Sequence, residues 1–310
     1  MAKKASLKSA LSSQQIRLKK KQDAIQAAQV AEQRGKKTPS TKDVKGKARA
    51  TAPPVTLPFK PTDRILLIGE GNFSFARALV CEPPAALQYL PASNVTATAY
   101  DAEAECFEKY PEARAIVEEI RAKGAEVLFG VDATKLEKIA ALRNRKFDKV
   151  MWNFPHAGKG IADQDRNILS NQVLLLGFLR SAAHLLKRGP VPSLTLRKKK
   201  RSEDSDQEDG NSADEAESSG PAETRGTILV TLRNVAPYTL WDLPRLAKTP
   251  PPPKSGGAVN PSYVQLRSFV FHRSLWKGYQ HKMTKGERAH GTGTTGQGGE
   301  DRTWEFYLKD

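Results

Sequence analysis

The chain has 310 residues, with 50 Lys or Arg against 34 Asp or Glu and a formal net charge of +16. Basic charge of that size draws a protein to polyanions, nucleic acid above all. Cys81 and Cys106 are the only cysteines, too few for a zinc ribbon or a disulfide framework, so a reducing compartment and no metal site are expected. The longest apolar run, residues 173–179 with one break, is too short to cross a membrane, and the basic N-terminus lacks a signal-peptide core.

Residues 1–57 read as a basic, disordered tail. The first 50 carry 14 Lys or Arg against Asp23, Glu32 and Asp43 and almost no aromatic or β-branched residues, so they bury too little apolar surface to offset the entropy of ordering. The folded domain is expected over 58–310. A disordered insertion at 197–225 interrupts it, a basic pentad followed by an acidic low-complexity run. LKKKQ at 18–22 and RKKKR at 197–201 fit nuclear-import signals.

Within the domain, ILLIG (65–69) predicts a strand and NFSFARALV (72–80) a helix that Asn72 is able to cap. VTATAYD (95–101) predicts a second strand. A helix broken at Pro111 and ended at Gly124 follows. AEVLFGVD (125–132) predicts a third strand, 134–145 a helix, and KVMWNF (149–154) a fourth strand. A long helix is expected over 167–187. After the insertion, 226–234 reads as strand five and 241–248 as a short helix, with a proline spacer at 250–253. Residues 263–274 and 303–309 read as the last two strands. Repeated β-α-β units build a mostly parallel, doubly wound sheet whose ligands sit at the carboxyl ends of the strands. With a C-terminal antiparallel hairpin this is the Rossmann-like architecture of class I methyltransferases.

The turn Gly69-Glu70-Gly71 between strand and helix brings backbone close to a ligand or a neighbour. A P-loop fails, because Asn72-Phe73 stand where Lys-Ser/Thr is needed. A dinucleotide loop fits poorly, since bulky Phe73 and Phe75 flank Ser74 and Asp101 lies 30 residues beyond Gly71, against the usual spacing of about 20. S-adenosylmethionine, with a carboxylate and a ribose but no phosphate, fits better. Gly69, Glu70, Gly71, Asn72 and Phe73 offer the loop and helix terminus to its carboxylate. Asp101 at the end of strand two suits the ribose hydroxyls. Asp132, followed by Ala133, suits the adenine amino group. Asn153-Phe154-Pro155-His156 then ends strand four, where a methyl acceptor sits.

GEGNFSFARAL, then FDKVMWNFPHAGKG, with Asn171 to Leu174 as N-x-x-L in the next helix, resembles the eukaryotic family of ribosomal RNA uridine-N3 methyltransferases. GTILVTLRNVAPYTLWDLPRLA and KGYQHKMTKG resemble later blocks of the same family, so the likeness covers roughly residues 60–190 and 226–310. It implies a monomeric, S-adenosylmethionine-dependent enzyme that methylates N3 of a uridine in 25S-type large-subunit rRNA, in the nucleus and nucleolus. Neither cysteine sits at a strand-end motif, so displacement at nitrogen fits better than carbon methylation through a Cys adduct.

The motif is akin to the Asn-Pro-Pro-aromatic sequence of base-amine methyltransferases, with Phe154 in place of a Pro and His156 in place of the aromatic. Asn153 would position the acceptor. His156 would accept its proton, hydrogen-bond a ring carbonyl or stack, while Phe154 stacks on the flipped base and Pro155 completes the turn. Residues 276–288 interleave Trp276, Tyr279 and His281 with Lys277, Lys282, Lys285 and Arg288. That pattern reads either as a single-stranded RNA platform or as a hydrophobic hairpin end with solvated lysines. The rival class is a non-catalytic nucleolar assembly factor that keeps the fold as an RNA scaffold.

Overall fold

The computed structural model describes residues 55–192, 224–252, 259–284 and 299–310. Most of the basic tail, most of the acidic insertion, Lys285 and Arg288 therefore lie outside the described residues. The strands are β1 Ile65–Ile68, β2 Val95–Thr98, β3 Glu126–Leu128, β4 Lys149–Asn153, β5 Thr227–Arg233, β6 Tyr263–Val270 and β7 Asp301–Leu308. They form one sheet in the order β3-β2-β1-β4-β5-β7-β6. The pairs among β1 to β5 are parallel, whereas β7 runs antiparallel to both β5 and β6. This is the doubly wound sheet with a C-terminal antiparallel hairpin expected above.

Alternation along the central strands feeds two cores, one on each face of the sheet. Ile65 and Leu67 join Met151 and Leu229 in one, and Leu66 and Ile68 join Val150 and Ile228 in the other. Both faces are dry, which is why ILLI is a continuous apolar run. Each such side chain contributes about 1.5–3 kcal/mol by leaving water.

The helices are α1 Ser74–Cys81, α2 Glu103–Lys109, α3 Ala113–Ala122, α4 Gln164–Ala182 and α5 Leu243–Lys248. In α3, Ala113, Val117 and Ile120 are buried, the stripe a helix lays on a sheet. Pro111 separates α2 from α3, and Gly124 stops α3 at φ +97°. In α4, Leu175, Phe178, Leu179 and Ala182 face the second core.

The sequence reading needs three corrections. Residues 134–145 are not an α-helix but two 3-10 turns, Leu136–Lys138 and Ala140–Leu142. Side chains capture their backbone: Ser181 Oγ accepts the amide of Leu136 at 2.5 Å, and Asp132 Oδ1 accepts that of Thr134 at 2.9 Å. A β-carbon on Gly177 of α4 would meet Thr134 at 2.8 Å, so the segment lies too close for a full helix. Second, α4 starts at Gln164, because Asp163 caps it by accepting the Arg166 amide at 2.8 Å. Third, Arg225 belongs to the folded body, donating to Gly189 O and Leu308 O and pairing with Asp310.

Candidate active site

The carboxyl ends of β1, β2, β3 and β4 carry the loops that hold the candidate residues. After β1 the chain enters the left-handed region at Gly69, φ +62°. A β-carbon there would sit 2.6 Å from Trp152 Nε1, so this glycine answers to a neighbouring side chain. Thr98 takes up the next amides, Gly69 through its hydroxyl at 3.4 Å and Glu70 through its carbonyl at 2.8 Å. A β-carbon on Gly71 would lie 3.3 Å from Lys282 Cβ and 3.6 Å from the Tyr110 ring.

Asn72 does not occupy the N-cap of α1. Phe73 holds that place with φ +62° and no side-chain cap. Asn72 lies one residue earlier, where its Oδ1 accepts the Ser74 amide at 3.2 Å and its Nδ2 donates to Glu112 at 2.9 Å. The helix terminus is served by Glu70, whose Oε2 accepts the Ala76 amide at 3.3 Å. Burial pushes the Glu70 carboxyl up to about 7, against the pull of the Ala76 and Phe75 amides. A cofactor carboxylate therefore meets a loop whose helix end already has a protein acid on it.

The loops after β2 and β3 are knitted together, Gly130 N donating to Asp101 O at 3.0 Å and Val131 N to Ala99 O at 2.9 Å. Asp101 and Asp132 thus stand on neighbouring loops. The Asp101 carboxylate pairs with Lys109 Nζ at 2.6 Å. Partial burial pushes Asp132 up, but the Thr134 hydroxyl and amide, with Lys135, outweigh it and hold the acid below the usual carboxylate range. Ala133 is buried in the second core, and Phe73 meets Phe129 edge-on at 5.4 Å, tying the first loop to the third.

Asn153 is the last residue of β4, and its Oδ1 is buried with no hydrogen-bond partner among the described residues. A buried acceptor without a donor is rare enough to need an explanation. Phe154 follows at φ +53°, a costly backbone for a bulky residue that persists only where the surroundings impose it. Its amide donates to Thr231 O at 2.8 Å, and its ring lies 4.5 Å from His281, 6.0 Å from Phe271 and 5.1 Å from the Arg273 guanidinium. Pro155 is buried.

His156 is exposed on one side, and its Nδ1 accepts the Gly158 amide at 2.9 Å. The ring proton of neutral His156 is then on Nε2, which makes that nitrogen a donor. Burial of the rest of the ring lowers its pKa, which favours the neutral form. To act as a base, His156 has to break its bond to Gly158.

The expected RNA platform is placed otherwise. Trp276 is 3% exposed and packs 4.7 Å from Phe75 in the first core, so it has no face to offer a base. Burial drives the Tyr279 hydroxyl well above its ordinary pKa, and Phe75 lies 5.6 Å from its ring. His281 is held neutral, its pKa pushed down to about 4 by burial and then by Arg273. Lys282 pairs with Glu112 at 2.8 Å. Ser74 Oγ lies 3.0 Å from both Gln280 N and Gln280 O, and Tyr110 donates to Met283 O at 2.6 Å. Residues 276–284 thus cover the glycine loop. Over residues 276–284 the aromatics pack inward, while Lys282 is held in an ion pair with Glu112 and is not solvated.

Asn171 was legible as part of N-x-x-L but not in its role. It is 1% exposed, and its Oδ1 accepts the Ala157 amide at 2.8 Å, clamping the loop behind His156. Among the described residues no group of three or more His, Cys, Asp or Glu is placed to hold a metal ion, and no helix is long and apolar enough to cross a membrane.

The strand order, with strand-end acids beside a glycine turn and an Asn-Phe-Pro-His motif, defines a Rossmann-like methyltransferase of class I. Residues 66–283 match the BMT5-like family, described as rRNA (uridine-N3-)-methyltransferase, and the chain belongs to that family. It is 28% identical over 274 residues to the 25S rRNA (uridine(2634)-N(3))-methyltransferase of Saccharomyces cerevisiae, covering 81% of this chain and 74% of that one. It is also 28% identical over 231 residues to heavy metal-associated isoprenylated plant protein 41 of Arabidopsis thaliana, covering 74% of this chain but only 35% of the plant protein. The mouse ferredoxin-fold anticodon-binding domain-containing protein 1 homolog is 36% identical over 133 residues, 43% of this chain and 20% of its own. The 16S rRNA (adenine(1408)-N(1))-methyltransferase from Catenulisporales acidiphilia aligns with a TM-score of 0.33 at 14% identity, covering 80% of this chain and 88% of that one.

Proposed function

We propose that this chain methylates N3 of a uridine in large-subunit ribosomal RNA, with S-adenosylmethionine as methyl donor, as a nuclear and nucleolar monomer. The observation that carries the reading is the buried, unpartnered Oδ1 of Asn153. The uracil imide is an N–H flanked by two carbonyls, so it brings the donor that this oxygen lacks and takes donors on either side. Asn153 holds N3, and His156, neutral with its proton on Nε2, donates to a ring carbonyl. Drawing density from that carbonyl acidifies N3; its proton passes to bulk water, the Asn153 contact opens, and the in-plane electron pair left on N3 is free to take the methyl.

The bound cofactor would supply an electrophilic sulfonium methyl group. The donor set suits its ribose and adenine ends, with Asp101 and Asp132 on adjacent loops and Gly69, Gly71, Asn72 and Phe73 on the turn beside them, while its carboxylate would lie against a helix end that Glu70 already caps. Glu70 acts through the helix terminus that it caps, and Ala133 through the wall behind Asp132.

Nucleoside mass spectrometry of large-subunit rRNA, with and without the chain, tests the reading. The chain is expected to add 3-methyluridine. Asn153→Ala and His156→Ala are expected to bind cofactor normally yet lose methylation by on the order of a hundredfold. Wild-type rates for both variants would remove the proposed site. A wild type that binds neither radiolabelled cofactor nor methylates RNA would be the non-catalytic scaffold.

A further inference from the structure

The loop after β4, the start of α4 and the turn after β5 line an open pocket of about 220 Å³ beside His156. We propose that this pocket receives the target uracil, extruded from its RNA strand, with the half-buried Tyr238 as its stacking surface. The proposal rests on uridine being the methyl acceptor and adds where the base goes and what holds it.

Size comes first. The volume is below the roughly 300–1,000 Å³ of sites for drug-sized ligands, so it suits one planar base with the ribose left outside. The walls come second. His156 lies 5.9 Å from Trp241 and Tyr238 5.0 Å from it, with Pro237 and Ile161 beside them. Trp241 is 1% exposed and backs the pocket, which leaves the half-buried Tyr238 as the ring that stacks on a flipped base.

Charge is the third point. In a chain of net charge +16 the pocket is lined by no Lys, Arg, Asp or Glu among the described residues. Its occupant is therefore neutral, as a base is and a phosphate is not. Polar groups are present in the form a pyrimidine imide needs, with the Gln164 amide and the His156 ring both on the lining.

The pocket is also rigidly built. Asn167, on its lining, donates to Ile161 O at 3.3 Å and accepts from Asn171 Nδ2 at 2.9 Å. Phe154, whose ring is already in contact with His281, Phe271 and Arg273, is not on the lining. His156 is the one residue of the Asn-Phe-Pro-His motif on the lining, so a base seated here meets the motif through that ring.

Variants at two positions read the pocket without disturbing the core. Tyr238 is only half-buried, and Ala162, on the lining, is exposed. Tyr238→Ala is expected to raise the KM for rRNA by about tenfold, the loss of one stacking partner, with the cofactor Kd unchanged. Tyr238→Phe, which keeps the ring, is expected to recover most of that loss. Ala162→Phe, which fills the pocket, is expected to abolish methylation while cofactor still binds. 4-Thiouridine placed at the uridine found by nucleoside mapping is expected to crosslink to Tyr238 or His156. Crosslinks confined to residues 272–284, or wild-type KM and rate in both Tyr238→Ala and Ala162→Phe, overturn the pocket alone. A wild type that methylates no uridine overturns the acceptor reading and the pocket together.

Discussion

Asn171 holds the Ala157 amide at 2.8 Å and so ties the middle of α4 to the loop that carries His156. Its own amide donates to both the carbonyl and the side-chain oxygen of Asn167, each at 2.9 Å. One buried side chain thereby sets where His156 stands, without being placed to touch the acceptor. Asn171→Ala is expected to reduce the single-turnover methylation rate by about tenfold or more through lost positioning, with the cofactor Kd unaltered. A variant with the wild-type rate would show that the loop finds its place without the clamp.

Asp101 is expected to hold the ribose hydroxyls, and Lys109 at 2.6 Å keeps its carboxylate in place. Asp101→Ala should weaken cofactor binding by about 2 kcal/mol, the scale of charge-assisted hydrogen bonds lost together. Calorimetry with S-adenosylmethionine measures this directly, and an unchanged Kd would place the ribose elsewhere.

Glu70 gives the fold a pH dependence of definite sign. Its carboxyl is raised from an ordinary 4.5 to about 7, so the folded chain binds this proton more tightly than the unfolded chain does. Stability from this group is therefore full below about pH 4.5, falls as pH rises towards 7, and levels off above it. Glu70→Gln should remove that slope, by up to a few kcal/mol across the interval. Urea midpoints between pH 4.5 and 8 check it. The same slope in both proteins would clear Glu70 of the effect.

Glu305, fully buried, accepts from Lys149 at 2.6 Å, Arg267 at 2.5 Å and Thr227 at 2.7 Å. Burial pushes its carboxyl up, and the two cations outweigh that and hold it below the usual range. Glu305→Ala strands both cations and should destabilise the domain by about 3–5 kcal/mol. Lys149 and Thr227 open β4 and β5, at the end of the sheet away from the candidate site. Cofactor affinity measured well below the unfolding midpoint should therefore not change, and a large change would mean that the two ends are coupled.

The sheet was legible because ILLI, VMW and TILV are apolar runs between turn signals, buried on both faces whatever lies around them. Leu136 to Leu142 were misread as helix. Their apolar spacing suits one, but Ser181 and Asp132, 45 residues away and nearby respectively, claim the backbone first. The order of Gly69, Asp101, Asp132 and Asn153 was legible, but only Asn153 ends a strand; β2 and β3 stop at Thr98 and Leu128, which puts Asp101 and Asp132 on the loops that follow. That Glu70 would fold onto the α1 terminus was not, since a glutamate between glycines carries no sign of where its side chain turns. Tyr238 and Trp241 stood in a stretch read only as a short helix and its approach. What gives them meaning is the loop of His156, 82 positions before Tyr238, which no local pattern joins to them.

The last strand of the sheet to be synthesised is not its last in space. β7 lies between β5 and β6, and β6 reaches the sheet only through it. While residues 271–308 are being made, β5 has one edge without its partner and β6 has none at all. During that interval both strands are open to pairing with a neighbouring chain. A chain stopped before Asp301 is expected to collect in the insoluble fraction, in proportion to its concentration, whereas the full chain stays in the supernatant at the same level. For this protein, the hazard of misassembly is a matter of timing, and it ends within the final ten residues shown here.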